Sequence, residues 1–138
     1  MGFPHYFNDC HEHHGLVRDF GGPRPTITVL CGSTRFHEAF HDANLRLTIA
    51  GHIVLSIGCD TKADADLDLA AQDSEGRTFD QIKADLDDLH KRKIDLADEV
   101  LVLNVNGYIG DSTRSEIEYA VKLRKPVHYL ESITNQEA

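Results

Sequence analysis

The chain has 138 residues, of which 41% are apolar and 27% charged, and its formal net charge is −9 at pH 7. This length fits one domain with a sizeable core, and the composition is that of an ordinary globular protein. No apolar run approaches the roughly 20 residues that cross a bilayer, so we expect no membrane partner and a cytoplasmic location. The acidic balance argues against a nucleic acid polymer as partner, since such proteins present a basic stripe, but it permits a small anion.

The beginning of the chain differs in character from the remainder. Residues 1–25 contain four histidines and a Gly-Gly-Pro sequence, which predicts a loose N-terminal arm followed by one domain over residues 26–138. The three cysteines, Cys10, Cys31 and Cys59, are odd in number and lack C-x-x-C spacing, which argues against a disulfide framework or a zinc ribbon. We expect Cys31 to be a small buried thiol.

The remaining sequence alternates between strand-like and helix-like patterns. Apolar, β-branched runs predict strands at 26–31, 53–57, 99–104 and 126–130, and helical spacing predicts helices at 35–50, 78–96 and 112–124. This alternation predicts an α/β fold: one doubly wound, Rossmann- or flavodoxin-like parallel sheet of four to five strands with helices on both faces. Residues 58–77, rich in Asp, Ala and Gly, fit no clear pattern and suggest a flexible flap or a poorly ordered helix over a site.

The sequence Ser-Thr-Arg occurs twice, each time after a predicted strand and before a predicted helix. At such a turn, backbone N–H groups, hydroxyls and a guanidinium can converge on one phosphate, although an ordinary helix cap is the alternative. Ligands of doubly wound sheets bind where the strand order reverses, which here places the first and third strands side by side. The substrate-binding residues predicted in the two loops are Gly32, Ser33, Thr34, Arg35, Gly110, Ser112, Thr113 and Arg114.

The second loop is followed within one helical turn by a carboxylate, Glu116. Glu116 groups with the inward side of its predicted helix, whereas Glu118 stands four residues before Lys122 and fits a surface ion pair. Glu116 is therefore a candidate catalytic nucleophile, and its alternative role is the second half of a capping box with Thr113. Asp111, at the mouth of the loop, is either a cap residue or a second catalytic carboxyl.

Histidines offer two further candidates. His90 lies near the end of the second predicted helix, where it either occupies a surface face or titrates near neutrality and exchanges a proton with a leaving base. The segment His37-Glu38-Ala39-Phe40-His41 matches the H-E-x-x-H zinc pattern. Because no third ligand is evident nearby in the sequence, we interpret this match as a coincidence and expect no metal and no organic cofactor.

Three motifs together resemble the nucleoside 2-deoxyribosyltransferase superfamily, and within it the 2'-deoxynucleoside 5'-monophosphate N-glycosidases and related nucleotide hydrolases. They are the loop 31–35, the Ala-Asp pair at 97–98 before the third strand, and Ser-Glu-Ile-Glu-Tyr-Ala at 115–120. The resemblance implies that Glu116 attacks the anomeric carbon and that Ser33 and Arg35 hold the 5'-phosphate. This sequence differs from the family pattern at His90 and Gly110, where relatives commonly carry aspartates. The proton donor is therefore not fixed by the resemblance, and Asp111 and His90 are both candidates.

The resemblance implies hydrolysis of the N-glycosidic bond of a nucleoside 5'-monophosphate through a glutamyl glycosyl-enzyme. It also implies a homodimer, because relatives are commonly dimers whose sites border the interface. Two alternatives stay open: a transferase that exchanges bases, and a non-catalytic nucleotide sensor in which Glu116 only caps its helix.

Overall fold

A computed structural model describes residues 23–57 and 76–133 of the chain. Most of the predicted N-terminal arm and most of the predicted flap lie outside the described residues, together with Cys10 and Cys59. The described elements are, in chain order, β1 (Ile27–Cys31), α1 (His37–Ile49), β2 (Ile53–Leu55), α2 (Phe79–Leu96), β3 (Glu99–Val102), α3 (Asp111–Lys122) and β4 (Val127–Tyr129), with 3₁₀ turns at Thr34–Phe36 and Val105–Gly107. None of the described helices is long and apolar enough to cross a membrane.

The four strands form one parallel sheet in the order β2-β1-β3-β4. Val29 of β1 is in register with Leu55 on one side and Val100 on the other. The predicted α/β fold with a doubly wound parallel sheet is therefore confirmed, including the adjacency of the first and third strands. This adjacency matters for function because it places the loops that follow β1 and β3 side by side.

The sheet has an apolar core on each face. On one face, Val29, Cys31 and Val102 are fully buried against residues of α2 and α3 that include Ile94 and Ala120. On the other face, the described helix is α1, whose residues Phe40 and Ala43 pack on Leu30 and Leu103. Successive side chains of a strand point to opposite faces, so β1 places Cys31 on the same side as α2 and α3.

The first helix begins later than its sequence predicts. Residues 34–36 form a 3₁₀ turn, and the Ser33 hydroxyl accepts a hydrogen bond from the Arg35 amide at 3.3 Å. The regular helix starts only at His37, so a tight, capped turn lies at the carboxyl end of β1. The second and third strands also differ from their predicted bounds: they were expected to end at residues 57 and 104 and end at Leu55 and Val102.

Gly32 occupies the point where this turn passes the neighbouring strand segment. A Cβ atom at Gly32 would lie 3.2 Å from both the Cβ and the carbonyl oxygen of Leu103. The Leu103 amide also donates a hydrogen bond to the Cys31 carbonyl at 2.8 Å. Close packing of the turn against Leu103 therefore favours glycine here, because any side chain would require Leu103 to shift.

Candidate active site

A cavity of about 370 Å³ lies at the carboxyl ends of β1 and β3, between the two Ser-Thr-Arg loops and one face of α2. Its wall is formed by the first loop, by the second loop together with the start of α3, by α2, and by Ile57 after β2. Its lining residues are Gly32, Ser33, Thr34, Ile57, Lys83, Leu86, Asp87, His90, Tyr108, Gly110, Asp111, Ser112, Thr113 and Glu116. Nine of the eleven site residues predicted from the sequence thus line one cavity, and the exceptions are Arg35 and Arg114.

Glu116 lies in the second turn of α3, where its side chain is only 8% exposed while still contributing to the cavity wall. Burial raises its pKa to about 7, and the charge of Asp87 acts in the same direction. A hydrogen-bonding interaction with the Cys31 thiol and the charge of Lys91 lower the pKa and so offset part of this rise. A carboxyl group that is half ionised at neutral pH is typical of catalytic sites.

Glu116 does not form the capping box with Thr113 that the sequence offered as its alternative role. The N-cap of α3 is Gly110, and no side chain makes a cap hydrogen bond there. Thr113 is the third residue of the helix and is itself buried, at 4% exposure. Glu116 is consequently one turn too far into the helix to close a box with the cap residue.

Cys31 and His90 lie next to Glu116, and of these two side chains His90 lines the cavity. Cys31 is fully buried, as expected from the sequence, and its Sγ lies 3.5 Å from His90 Nε2. His90 Nε2 is also 3.0 Å from the Leu30 carbonyl oxygen, and since a carbonyl only accepts, Nε2 carries a proton. Burial also raises the pKa of the Cys31 thiol well above its ordinary value, with the charge of Glu116 adding to the effect.

The burial of His90 corrects two expectations. The side chain is 6% exposed, so it does not occupy a surface face of α2. Burial, together with the charge of Lys93, lowers its pKa to about 4. The imidazole is therefore neutral at physiological pH, and the expectation that it titrates near neutrality is wrong.

The cysteine, histidine and glutamate side chains form a compact set of possible metal ligands. One ligand atom from each of Cys31, His90 and Glu116 lies within 4.8 Å of the other two, and all three residues are buried. Within residues 23–57 and 76–133 this is the one group of three such side chains with that spacing. By contrast, His37, Glu38 and His41 of the H-E-x-x-H segment are exposed along α1, away from the cavity lining.

Arg35 lies at the rim of the cavity and not in its lining. Its guanidinium carbon is 4.4 Å from the ring centroid of Tyr108, which does line the cavity. Phe36 packs edge-to-face on the same ring, with 5.9 Å between the centroids. The three side chains form a cationic and aromatic rim beside Ser33.

The second loop presents the beginning of α3 to the cavity. Gly110, Asp111 and Ser112 line it with the first turn of the helix, whose first amides have no intrahelical acceptor. The Arg114 side chain is exposed and donates to the Ile109 carbonyl at 3.3 Å, so it points back along the loop. The helix start, rather than this arginine, is the part of the second loop that faces the cavity.

Sequence reasoning identified His90 of α2 but missed two other residues of this helix that line the cavity, Lys83 and Asp87. Lys83, Asp87 and His90 line the cavity at a spacing of four and three residues, which is one face of a helix. Lys83 is the cationic residue among the lining side chains. Nine of the 18 residues of α2 are charged, so the sequence pattern does not distinguish Lys83 and Asp87 from the charged residues on its exposed side.

The chain was compared with protein-family models, with curated proteins and with solved structures, and none of them matches it.

Proposed function

We propose that this protein hydrolyses the N-glycosidic bond of a nucleoside 5'-monophosphate. The observation that carries the proposal is the position of Glu116, a buried carboxyl with a pKa of about 7. It shares one cavity with the Ser33 hydroxyl and the uncapped start of α3. The resemblance of the three sequence motifs to nucleotide N-glycosidases supports the same activity.

In the first step, a carboxylate oxygen of Glu116 attacks C1' of the sugar. The new C1'–O bond forms as the C1'–N bond breaks, and the base leaves with the bonding electron pair and takes up a proton. In the second step, water attacks C1', the bond to Glu116 breaks, and the water proton passes to a carboxylate. The products are the free base and the sugar 5-phosphate. Neither step changes an oxidation state, so the reaction needs no redox cofactor.

Asp111 is the candidate that best suits the proton transfers. It is exposed at the cavity wall, at the first residue of α3, and can exchange protons with solvent. His90 fits this role less well, because it is neutral and its Nε2 proton is engaged with the Leu30 carbonyl. Asp87 lies on α2, across the cavity from α3, and its negative charge raises the pKa of Glu116.

The phosphate would bind where hydrogen-bond donors of the first loop and of the start of α3 converge. Ser33 supplies a hydroxyl and the first turn of α3 supplies backbone amides, the arrangement that stabilises an anion at a helix start. Lys83 faces the same space from α2. Arg35 would reach the phosphate by leaving the Tyr108 ring, and Arg114 by leaving the Ile109 carbonyl.

The decisive experiment incubates the protein with a panel of ribo- and deoxyribonucleoside 5'-monophosphates and the matching nucleosides, and quantifies released base by chromatography. We expect base release from at least one monophosphate, with the nucleoside a much poorer substrate. Glu116→Gln should reduce the rate by at least about 10³-fold, since the nucleophile is lost. Glu118→Gln, on the exposed side of the same helix, is the matched control and should retain the full rate.

Two outcomes would contradict the proposal. Binding of mononucleotides without release of base on long incubation would favour the sensor alternative. Formation of a new nucleotide or nucleoside when a second free base is supplied, at the expense of hydrolysis, would favour the transferase.

A further inference from the structure

Three buried side chains, Cys31, His90 and Glu116, of which the last two line the cavity, have an arrangement that hydrolysis of a glycosidic bond does not require. A nucleophilic carboxylate needs a neighbour that orients it, but Cys31 and His90 bring a sulfur and a ring nitrogen to the same point. Sulfur, imidazole and carboxylate are the three side-chain ligand types of zinc. They come from three different elements, β1, α2 and α3, so no local sequence pattern produces their proximity.

The spacing of two of these atoms is that of a tetrahedral metal centre. Bonds of about 2.3 Å to sulfur and 2.0 Å to nitrogen at a tetrahedral angle separate the two ligand atoms by about 3.5 Å. Cys31 Sγ and His90 Nε2 are 3.5 Å apart. A carboxylate oxygen of Glu116 lies within 4.8 Å of both, so a movement of roughly 1 Å completes the set.

The surroundings also suit a cation with one open coordination position. The Leu103 amide donates a hydrogen bond to the Cys31 carbonyl, so the sheet fixes the backbone from which the buried thiol projects. His90 and Glu116 border the cavity, which leaves space for water or a ligand on that side. Asp87 and Asp111 add two carboxylates to the wall, against the single lysine there, Lys83.

We propose that Cys31, His90 and Glu116 form a three-ligand binding site for a divalent transition metal, with zinc the best match, open to the cavity. Binding releases the thiol proton of Cys31 to solvent, together with the carboxyl proton of Glu116 where it is present. The ring proton of His90 moves from Nε2 to Nδ1 as the ring gives up the Leu30 carbonyl. A bound metal occupies the carboxylate of Glu116. It therefore inhibits any reaction in which Glu116 is the nucleophile, so metal binding and glycosidase activity exclude each other.

Cobalt(II) is the probe, because a thiolate bound to it gives a sulfur-to-cobalt charge-transfer band in the near ultraviolet that histidine and carboxylate ligands do not give. The full chain also carries Cys10, Cys59 and several N-terminal histidines that can bind metal. The experiment therefore uses the C10S/C59S protein, in which Cys31 is the only thiol. Cobalt is titrated under anaerobic conditions, followed by competition with zinc.

We expect the band to saturate at one cobalt per chain and to be abolished by one equivalent of zinc, which binds more tightly. In the same background, His90→Ala and Glu116→Gln should each weaken cobalt binding by at least about 10-fold, since outer-shell changes alone cost about 10- to 100-fold. His41→Ala, which removes an exposed histidine of the H-E-x-x-H segment, is the control and should leave the titration unchanged.

Absence of the band in a folded C10S/C59S protein would overturn the proposal, as would a band whose midpoint is unaffected by both His90→Ala and Glu116→Gln. Far-ultraviolet circular dichroism establishes that each variant is folded. The titration needs no substrate, so its result is independent of whether the protein releases a base. If the protein does release a base, saturating zinc should abolish that activity and a chelator should restore it.

Discussion

The pH dependence of folding stability provides a direct test of the environment of the candidate site, because two of its side chains titrate abnormally in opposite directions. Folding holds the pKa of Glu116 at about 7 against an ordinary value of 4.5, and that of His90 at about 4 against 6.5. One pKa unit corresponds to about 1.4 kcal/mol, so each effect amounts to roughly 3 kcal/mol.

The two contributions have opposite signs. Between pH 4.5 and 7 the folded protein binds more protons at Glu116 than the unfolded chain does, so the free energy of unfolding falls by roughly 3 kcal/mol as pH rises. Between pH 4 and 6.5 the unfolded chain binds more protons at His90, so the free energy of unfolding rises by a similar amount. In the unmodified protein the two contributions largely cancel over the shared range.

Single substitutions should expose each contribution. Relative to the unmodified protein, Glu116→Gln should gain roughly 3 kcal/mol of stability between pH 4.5 and 7, and His90→Gln should lose a similar amount between pH 4 and 6.5. The measurement is urea unfolding at several pH values from 4 to 8, followed by circular dichroism. Glu118→Gln serves as control and should run parallel to the unmodified protein.

The comparison uses changes with pH and not absolute stabilities, so any packing cost of the substitutions cancels. A stability difference between Glu116→Gln and the unmodified protein that varies by less than about 1 kcal/mol across this range would refute the buried, protonated state of Glu116.

Three further predictions follow from the same geometry. If Glu116 is the nucleophile, kcat/KM for base release should rise about tenfold per pH unit below pH 7 and level off above it, and a profile that is flat from pH 5.5 to 8 would contradict that role. Arg35→Ala should slow turnover of a nucleotide by roughly 10- to 100-fold while barely affecting the nucleoside; equal losses on both substrates would remove Arg35 from the phosphate site. Gly32→Ala places a Cβ atom 3.2 Å from two atoms of Leu103 and should destabilise the fold by about 1 to 3 kcal/mol in urea unfolding, with an unchanged midpoint counting against the close packing described above.

The strands, the helices and their order were predictable because they depend on local patterns. Runs of β-branched residues fix the strands, and the alternation with amphipathic segments permits few topologies other than a parallel sheet wound on both faces. The beginning of α2 is equally local: Thr78 and Gln81 form the reciprocal hydrogen bonds of a capping box. The adjacency of β1 and β3 followed from the same topology, and it places both Ser-Thr-Arg loops at one cavity.

The directions of individual side chains were less predictable. The sequence motif contains Arg35 and Arg114, but the first stacks on Tyr108 and the second turns to a carbonyl. Long, exposed arginine side chains bind whichever partner lies within reach, and a sequence motif does not specify that partner.

Local sequence patterns were enough to predict the class of fold, the place of the candidate site at the carboxyl ends of β1 and β3, and the inward orientation of Glu116, because each depends on the period of a helix or a strand or on the order of the elements. The burial of His90, the position of Lys83 at the cavity and the proximity of Cys31 to the carboxyl group of Glu116 became apparent only in the folded structure. They could not be predicted because burial and proximity depend on how separate elements pack. Residues 59 positions apart come to 3.5 Å only when β1 and α2 pack together.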